Sequence, residues 1–220
     1  MINLQQARKN MVDCQIRPNG VVMPELLEAF ETVPRELFVP TNYRNMACND
    51  EDIPLGEGRY LLEPAVHAKM LQALEPQPDD VVLLIGGGIG YGAAILSSLV
   101  STVVVVESQT KLIEWANKAW DETGLCNIAS FEGPLEEGVP KNAPYDSIVI
   151  NGAVSAVPEQ ILAQLVPGGR LVCIVREAGQ GIGQARLFRK SKDGKCSSFT
   201  LFDAGTPYLK GFEPKPDFRF

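Results

Sequence analysis

A run of glycines directly after an apolar segment is the feature of this chain best suited to bind a ligand. Gly86, Gly87 and Gly88 follow the apolar residues 81–85, and Gly90 and Glu107 come later in the chain. Three adjacent glycines would be costly inside a helix, at about 1 kcal/mol each relative to alanine. As a loop they let backbone approach a ligand, and an acid about 20 residues onward is placed to accept hydrogen bonds from two ribose hydroxyls. The spacing therefore predicts a nucleotide-like ligand at this loop.

Two ligand patterns fit the loop, and a purely structural interpretation also remains open. Gly86, Gly88 and Gly90 fit G-x-G-x-G directly after a strand, which is typical of S-adenosylmethionine binders. Gly88, Gly90 and Ala93 fit the looser dinucleotide pattern G-x-G-x-x-A. Alternatively, the glycines only allow a helix to pack closely on a strand. The loop alone does not choose among the three.

By composition, the segment around the loop would also suit a membrane helix. Residues 81–106 carry no charged side chain, and G-x-x-x-G spacing occurs twice, starting at Gly86 and at Gly88. The β-branched residues of 81–85 and 103–106 instead predict two strands, with a helix at 91–99 between them. Parallel strands that are buried on both faces are continuously apolar, which explains the missing charge. We therefore expect a βαβ unit that ends at Glu107, and no membrane span.

The alternation of strands and helices continues through the rest of the chain. Asp193-Gly194 lies between two alternating runs and predicts an antiparallel hairpin. The fold class is therefore α/β, with a mostly parallel sheet finished by an antiparallel hairpin. The other expected elements are strands at 127–132, 145–153 and 171–175, helices at 4–14, 24–32, 64–74, 112–120 and 158–165, and a turn at 167–170.

The chain divides into three parts on this pattern. Residues 1–78 form an N-terminal helical region, expected on the substrate side. Residues 79–205 form the nucleotide-binding domain, and residues 206–220 form a C-terminal tail. The 220 residues are 45% hydrophobic and 21% charged, which is enough apolar material for a sizeable core.

Charge and cysteine content limit the partners and the compartment. The net charge is −7, and an acidic surface repels phosphate backbones, so we expect no nucleic-acid partner. The five cysteines are scattered without C-x-x-C spacing, which argues against a zinc site or a disulfide framework. The first residues lack an apolar core, so no secretory signal is predicted. We expect a cytoplasmic protein, and the oligomeric state stays open.

Four stretches resemble the protein-L-isoaspartate O-methyltransferase family over residues 7–175. They are "VPRELFVP" at 33–40, "IPLGEGRYLLEPAVHAKMLQAL" at 53–74, "VLLIGGGIGYGAA" at 82–94 and "APYDSIVINGAVSAVPEQILAQLVPGGRLV" at 143–172. The resemblance implies a class I S-adenosylmethionine-dependent methyltransferase, Rossmann-like, with a seven-stranded sheet. It implies S-adenosylmethionine as the cofactor and the carboxylate of isoaspartyl residues in damaged proteins or peptides as the acceptor. The cofactor-binding residues that it implies are Gly86, Gly87, Gly88, Gly90, Tyr91, Glu107, Ser108, Gly133 and Pro134.

This chain departs from the family pattern at three polar positions. The acid before the glycine loop is Leu84 here, and the family's G-D-G is Gly133-Pro134-Leu135. The serine beside the reacting groups is Leu62, followed by Glu63. Each lost hydrogen bond to a ligand is worth about 1 kcal/mol. Two alternatives therefore stay open, a methyltransferase with another acceptor and a non-catalytic interaction or regulatory protein of this fold.

Carboxyl methylation does not require an acidic or basic side chain of the protein to transfer a proton. A carboxylate is already ionised at pH 7, so neither a general base nor a metal is expected. The catalytic residue is therefore unassigned, with Glu63 the neighbouring candidate. Glu63 would repel an anionic acceptor unless a neighbour such as Arg59 neutralises it.

Three further expectations concern single residues. The only histidine, His67, matches a family position, and we expect it to be packed on its helix. The acidic run at 49–52 is expected to be a solvated loop. Glu107→Ala is expected to leave folding nearly unaffected, because the carboxylate sits at a strand end.

Overall fold

The computed structural model describes residues 3–214 and is built on a seven-stranded sheet. The strands are β1 (Ile53–Gly56), β2 (Arg59–Leu61), β3 (Val81–Ile85), β4 (Thr102–Glu107), β5 (Ile128–Glu132), β6 (Tyr145–Val154), β7 (Leu165–Val175), β8 (Gly183–Lys190) and β9 (Cys196–Ala204). The large sheet has the order β5-β4-β3-β6-β7-β8-β9, and β1 pairs only with β2. The strands β5, β4, β3, β6 and β7 run parallel to one another. Strand β8 is antiparallel to β7, and β9 is antiparallel to β8. The expected mostly parallel sheet with a terminal antiparallel hairpin is confirmed.

The charge-free segment forms a strand, a loop, a helix and a second strand, and the membrane interpretation is wrong. β3 and β4 pair in parallel from Val81 with Thr102 to Ile85 with Val106. Both strands are buried almost throughout, so neither face needs a polar side chain. Within residues 3–214, no helix is both long and apolar enough to cross a bilayer.

The helices follow the expected pattern with shifted ends. They are α1 (Leu4–Met11), α2 (Pro24–Thr32), α3 (Pro64–Ala73), α4 (Tyr91–Ser97), α5 (Thr110–Thr123) and α6 (Glu159–Ala163). After α1, a π-helical turn at Val12–Ile16 carries the chain onward. Proline at the first position opens α2 and α3, since its missing N–H would have no partner there.

Strand β7 starts earlier than its sequence suggests. Leu165 pairs with Tyr145 and Arg170 with Ser147, so residues 166–169 bulge out of the strand. The expected helix at 158–165 therefore stops at Ala163, and the expected turn lies inside β7. Leu165 is only 2% exposed, and its burial beside β6 explains why pairing begins before the glycines.

The N-terminal region and the sheet share one apolar core. Phe30, Phe38 and Leu62 belong to the same buried cluster as Leu84 and Val105. The opposite face carries a second cluster, which includes residues of the C-terminal segment. The three-part division of the chain stays a prediction.

Candidate active site

The glycine loop lies at the point where the sheet changes direction. β3 is flanked by β4 on one side and by β6 on the other, and chain connections leave the two sides in opposite directions. Ligands of open α/β sheets bind in the crevice at such a switch point, beyond the carboxyl ends of the strands. Gly86 follows β3 there, and the Asn151 carbonyl oxygen of β6 lies 3.5 Å from where a Cβ on Gly86 would stand.

The four glycines of the loop serve two different purposes. A Cβ on Gly87 would stand 2.3 Å from Val105 Cγ1, and one on Gly90 would stand 2.6 Å from Trp120 Cζ2. Those two positions are glycine because strand β4 and helix α5 pack against them. Gly86, Gly88 and Gly90 have positive φ of 72°, 55° and 93°, and Gly86 and Gly88 face other parts of the chain. The packing interpretation therefore accounts for Gly87 and Gly90, while the ligand interpretation of Gly86 and Gly88 stays a prediction.

Glu107 ends β4 and is buried beside the loop, with 1% of its surface exposed. Its Oε2 accepts from the Gly88 N–H at 3.1 Å, and its Oε1 accepts from the Ser108 N–H at 2.7 Å. The acid expected to face a ligand is therefore held in place by backbone donors of the loop and of its own strand end.

Arg59 of β2 covers the Glu107 carboxylate. Its Nε donates to Oε1 at 3.2 Å and to Oε2 at 3.1 Å, and its Nη2 donates to Oε1 at 3.0 Å. Nη2 also donates to Ser108 Oγ at 2.9 Å. The sequence suggests Arg59 as a neighbour that could neutralise Glu63, but its guanidinium is engaged by Glu107 instead. The pair is only 1% exposed on each side chain, so solvent screens it little.

Two apolar side chains lie over Gly86 and Gly88. Leu55 Cδ1 of β1 lies 2.9 Å from the Cβ position of Gly88. Leu209 Cδ1, in the segment after β9, lies 2.9 Å from the Cβ position of Gly86. The hairpin β1–β2 and the C-terminal segment thus close the loop from two directions.

A cavity of about 470 Å³ opens next to this closed region. It lies at the carboxyl ends of β4 and β5, where Ser108 and Pro134 line it. Its size is within the range of small-molecule sites. Lys210 and Gly211 of the C-terminal segment form another part of its wall.

Tyr91 points away from the loop, into the N-terminal region. Its ring packs against Phe30 and Phe38, and the Arg35 guanidinium carbon lies 4.7 Å from the ring centroid. Burial raises the pKa of the Tyr91 hydroxyl to about 12. Its side chain therefore supports the loop by packing, and only its backbone stands near the ligand position.

His67 is packed on α3, as expected, in the same aromatic cluster as Tyr91. Its ring centroid lies 6.0 Å from that of Phe30 and 6.0 Å from that of Tyr91. Burial and the nearby Arg35 charge lower the pKa of His67 to about 3. Neither ring nitrogen has a hydrogen-bond partner among residues 3–214. The imidazole is therefore neutral at physiological pH.

The acceptor-side residues lie where α3 begins. Leu62 is 2% exposed, and its carbonyl accepts from Arg35 Nη2 at 2.7 Å. Glu63 is half-buried, and burial, Asp50 and Asp52 raise the pKa of its carboxyl. The acidic run is a solvated loop only in part. Asp52 is half-buried and accepts from the Glu63 N–H at 2.8 Å and from Thr206 Oγ1 at 2.8 Å.

Comparison with known proteins decides among the ligand patterns. The sequence model of the family described as Protein-L-isoaspartate(D-aspartate) O-methyltransferase (PCMT) matches residues 6–203. The chain belongs to the protein-L-isoaspartate O-methyltransferase family. The family resemblance seen in the sequence is thereby confirmed.

Individual relatives agree with the family match. A protein-L-isoaspartate O-methyltransferase of Trichlorobacter lovleyi is 40% identical over 201 residues, covering 91% of each chain. A solved protein-L-isoaspartate O-methyltransferase has a TM-score of 0.80 and 27% identity, covering 93% of this chain and 66% of its own. A Plasmodium falciparum structure, described as a candidate member with S-adenosyl-L-homocysteine bound, has a TM-score of 0.77 and 16% identity, covering 96% of this chain and 99% of its own. At 16% identity, the Plasmodium falciparum structure supports the fold of this chain and nothing further.

Family membership identifies this chain as an S-adenosylmethionine-dependent methyltransferase with protein-L-isoaspartate methylation as its function. The alternatives of another acceptor or a non-catalytic role are not favoured. S-adenosylmethionine, the methyl donor that the resemblance implies, is that of the family.

The residues present fit this methyl donor in kind, although the chain itself fills part of the space. Glu107 supplies a buried carboxylate for a hydroxylated sugar, and the neighbouring cavity has room for a heterocycle. Leu55, Arg59 and Leu209 lie directly over the loop. A ligand could therefore reach Glu107 and the glycines only by displacing these side chains.

Sequence reasoning missed the hairpin that closes the site. It assigned residues 1–78 to helices and loops, and so it overlooked Leu55 and Arg59 as neighbours of the glycine loop. The signal was available as Gly56-Glu57-Gly58, a turn between two short alternating runs. Pairing of Arg59 with Glu107 spans 48 residues, and no local pattern encodes it.

Proposed function

We propose that this chain methylates the isoaspartyl carboxylate by alignment alone, with Glu107 as the residue that holds the methyl donor. The observation that carries the proposal is the buried Glu107 carboxylate beside the glycine loop at the switch point of the sheet. Family membership supplies the reaction, and this geometry supports the residue assignment.

The reaction needs orientation more than acid–base help. When bound, S-adenosylmethionine supplies an electrophilic methyl group on a positively charged sulfur. The acceptor carboxylate is ionised at neutral pH and can attack without a general base. The contribution of the protein is then to place the oxygen in line and to exclude water, which can account for much of a rate enhancement. His67 is neutral and buried in the aromatic cluster, and we assign it no proton transfer.

The cofactor contacts divide among three parts of the site. Glu107 would accept hydrogen bonds from the ribose hydroxyls, and the backbone at Gly86 and Gly88 would hold the amino-acid end. The cavity lined by Ser108 and Pro134 receives the base. Gly87 and Gly90 act indirectly, because they set the loop against β4 and α5. Gly133 directly precedes Pro134 of the cavity wall, and a Cβ on it would stand 3.8 Å from Val106 Cγ2.

The acceptor side is unusually acidic for an anionic substrate. Glu63 carries a raised pKa because burial, Asp50 and Asp52 all disfavour its charge. An anion held about 5 Å from an ionised Glu63 would meet repulsion of about 3 kcal/mol at an effective dielectric of 20. We therefore propose that Glu63 limits the affinity for isoaspartyl peptides.

Transfer of labelled methyl from S-adenosylmethionine tests the proposed function. The substrate is an isoaspartyl peptide, and its aspartyl twin is the control. We expect label on the isoaspartyl peptide only, and loss of that label in Glu107→Gln. Label on neither peptide, with the methyl donor bound as judged by calorimetry, would contradict isoaspartyl methylation by this chain.

Substitution of Glu63 tests the acceptor side. Glu63→Gln should lower KM for the isoaspartyl peptide by about tenfold or more, because a repelling charge is removed. Glu51→Gln, at an exposed position of the same acidic run, should leave KM unchanged. In the parent, KM should also fall as the pH is lowered toward the raised pKa of Glu63, and the variant should lack that trend. Equal KM in the parent and in Glu63→Gln would show that Glu63 faces away from the acceptor.

A further inference from the structure

We propose that Arg59 sets the cofactor affinity of this chain by competing with the ribose for Glu107. The inference deepens the proposed function and rests on the role of Glu107 given there. Arg59 comes from the hairpin Ile53–Leu61, outside the large sheet, and reaches across the glycine loop to the end of β4.

The first argument is the hydrogen-bonding capacity of the carboxylate. Its two oxygens offer about four acceptor positions. Two backbone N–H groups, of Gly88 and Ser108, and the Nε and Nη2 of Arg59 already use them. No acceptor position is left for a pair of ribose hydroxyls. A sugar can therefore bind Glu107 only if the guanidinium leaves.

The second argument is chemical likeness. A guanidinium presents two N–H donors side by side to a carboxylate, and a vicinal diol presents two O–H donors in a similar way. Arg59 thus makes the contact that the cofactor would make, and it adds a full charge to it. Its departure also moves a positive charge away from a cofactor that itself carries a positive sulfur.

The third argument concerns the hairpin, which can move without unfolding the sheet. Its two strands have four and three residues, and within residues 3–214 they pair only with each other. An isolated two-stranded hairpin of this size is marginally stable in water. Its inner contacts are Leu55 over Gly88, the Arg59–Glu107 pair, and Ile53 and Leu61, which are buried in the main apolar core. Replacing the ion pair with cofactor contacts removes the charged contact among those that hold the hairpin on the loop.

Calorimetric titration with S-adenosyl-L-homocysteine measures the competition. Arg59→Gln should bind this probe about tenfold tighter than the parent, because the ribose no longer displaces a charge-assisted pair. The Glu107 carboxylate keeps its two backbone donors in that variant, so it stays satisfied. Arg17→Gln removes an exposed arginine, 54% exposed in a pair with Asp13, and should match the parent. Equal or weaker binding by Arg59→Gln would overturn the proposal.

The double variant Arg59→Gln/Glu107→Gln separates this inference from the proposed function. It should lose the affinity gained by Arg59→Gln. If the double variant loses binding but Arg59→Gln equals the parent, Glu107 holds the ribose and the competition is refuted. If the double variant binds as well as Arg59→Gln does, both the competition and the proposed role of Glu107 fail.

Trypsin gives a readout in the unaltered chain. Arg59 is 2% exposed, so cleavage after it should be slow in the closed hairpin. Saturating S-adenosyl-L-homocysteine should speed cleavage after Arg59 while leaving unchanged the cleavage after Lys195, whose side chain is 87% exposed in the turn between β8 and β9. Calorimetric binding without faster cleavage after Arg59 would refute displacement of the hairpin.

Discussion

Two titratable side chains, Glu107 and His67, are more deeply buried than their places in the sequence suggest. Glu107 stands at a strand end, a position from which a free carboxylate would be expected. It is instead 1% exposed and paired with an arginine that is equally buried. His67 likewise combines a titratable ring with complete burial. At both positions, charge and folding are coupled.

Removal of the Glu107 carboxylate should destabilise the fold, contrary to the expectation drawn from the sequence. Glu107→Ala leaves the Arg59 guanidinium buried without an acid, and breaking a buried pair in this way costs about 3–5 kcal/mol. Urea unfolding measures the loss. Asp13→Ala, which breaks an exposed pair, should cost less than about 1 kcal/mol. Equal midpoints for the two variants would show that Arg59 reaches solvent in solution.

Burial of His67 should make stability fall in mild acid. Its pKa is about 3 in the folded chain and 6.5 when unfolded, so the unfolded state binds more protons between those values. The free energy of unfolding should therefore decrease as pH falls below about 6.5, by up to about 1.4 kcal/mol per pH unit. Asp52 and Glu63 have raised pKa values and act in the opposite sense, so the comparison is with His67→Gln. The slope from pH 6 to pH 4.5 should be flatter in the variant. Parallel slopes would mean that His67 is solvated.

At the scale of elements, the glycine loop is clamped between β4, α5 and the hairpin. Gly87 meets Val105, Gly90 meets Trp120, and Gly88 meets Leu55. Only the contact between Gly88 and Leu55 involves the hairpin, which lies outside the large sheet. The loop is therefore held in place by β4 and α5 and covered by the hairpin.

Two glycines near β4 give a matched test of this clamp. Gly87→Ala would place a Cβ 2.3 Å from Val105 Cγ1 inside the sheet. Such overpacking costs about 1–3 kcal/mol. Gly133→Ala meets Val106 Cγ2 at 3.8 Å, an ordinary contact, and should be tolerated. Thermal unfolding should show a clear loss for the first variant alone. A similar Tm for both would mean that β4 yields to the added methyl group.

The elements that the sequence predicts well are those with a local cause. The strands on both sides of the glycine loop are apolar runs rich in β-branched residues, and α2 begins at a proline, so their predicted bounds are close to those observed. β1 and β2 are too short for a periodic pattern, and their place over the loop depends on Leu55 and Arg59 meeting distant partners. Most of the fold could therefore be predicted, and so could the acid and the glycines. The closure of the site could not, because it is a long-range contact.

Across the whole molecule, three distant segments meet at the carboxyl edge of the sheet. The C-terminal segment pairs Tyr208 with Ala153 of β6, and Leu209 is 3% exposed over Gly86. Asp52 joins that segment to the start of α3 through Thr206. The edge that carries the glycine loop is thus built from the N-terminal region, the sheet and the end of the described chain.

The C-terminal segment should contribute measurably to stability. Leu209→Ala removes a buried side chain and should cost about 2–5 kcal/mol of unfolding free energy. Leu201→Ala, on the edge strand β9 and 38% exposed, should change it by about 0.5 kcal/mol or less. Denaturant titration compares the two. A small loss in Leu209→Ala would show that the segment is detached in solution.

The contact between Trp120 and the glycine loop gives the enzyme a reporter of its own. The indole N–H donates to the Gly90 carbonyl at 3.0 Å, and the ring lies against the loop. The chain has one other tryptophan, Trp115, on the same helix. Since indole emission responds to the polarity and hydrogen bonding around it, a shift of the loop changes the light that the protein emits. Any displacement of the loop relative to Trp120 can thus be followed in real time, in the native chain and without a label.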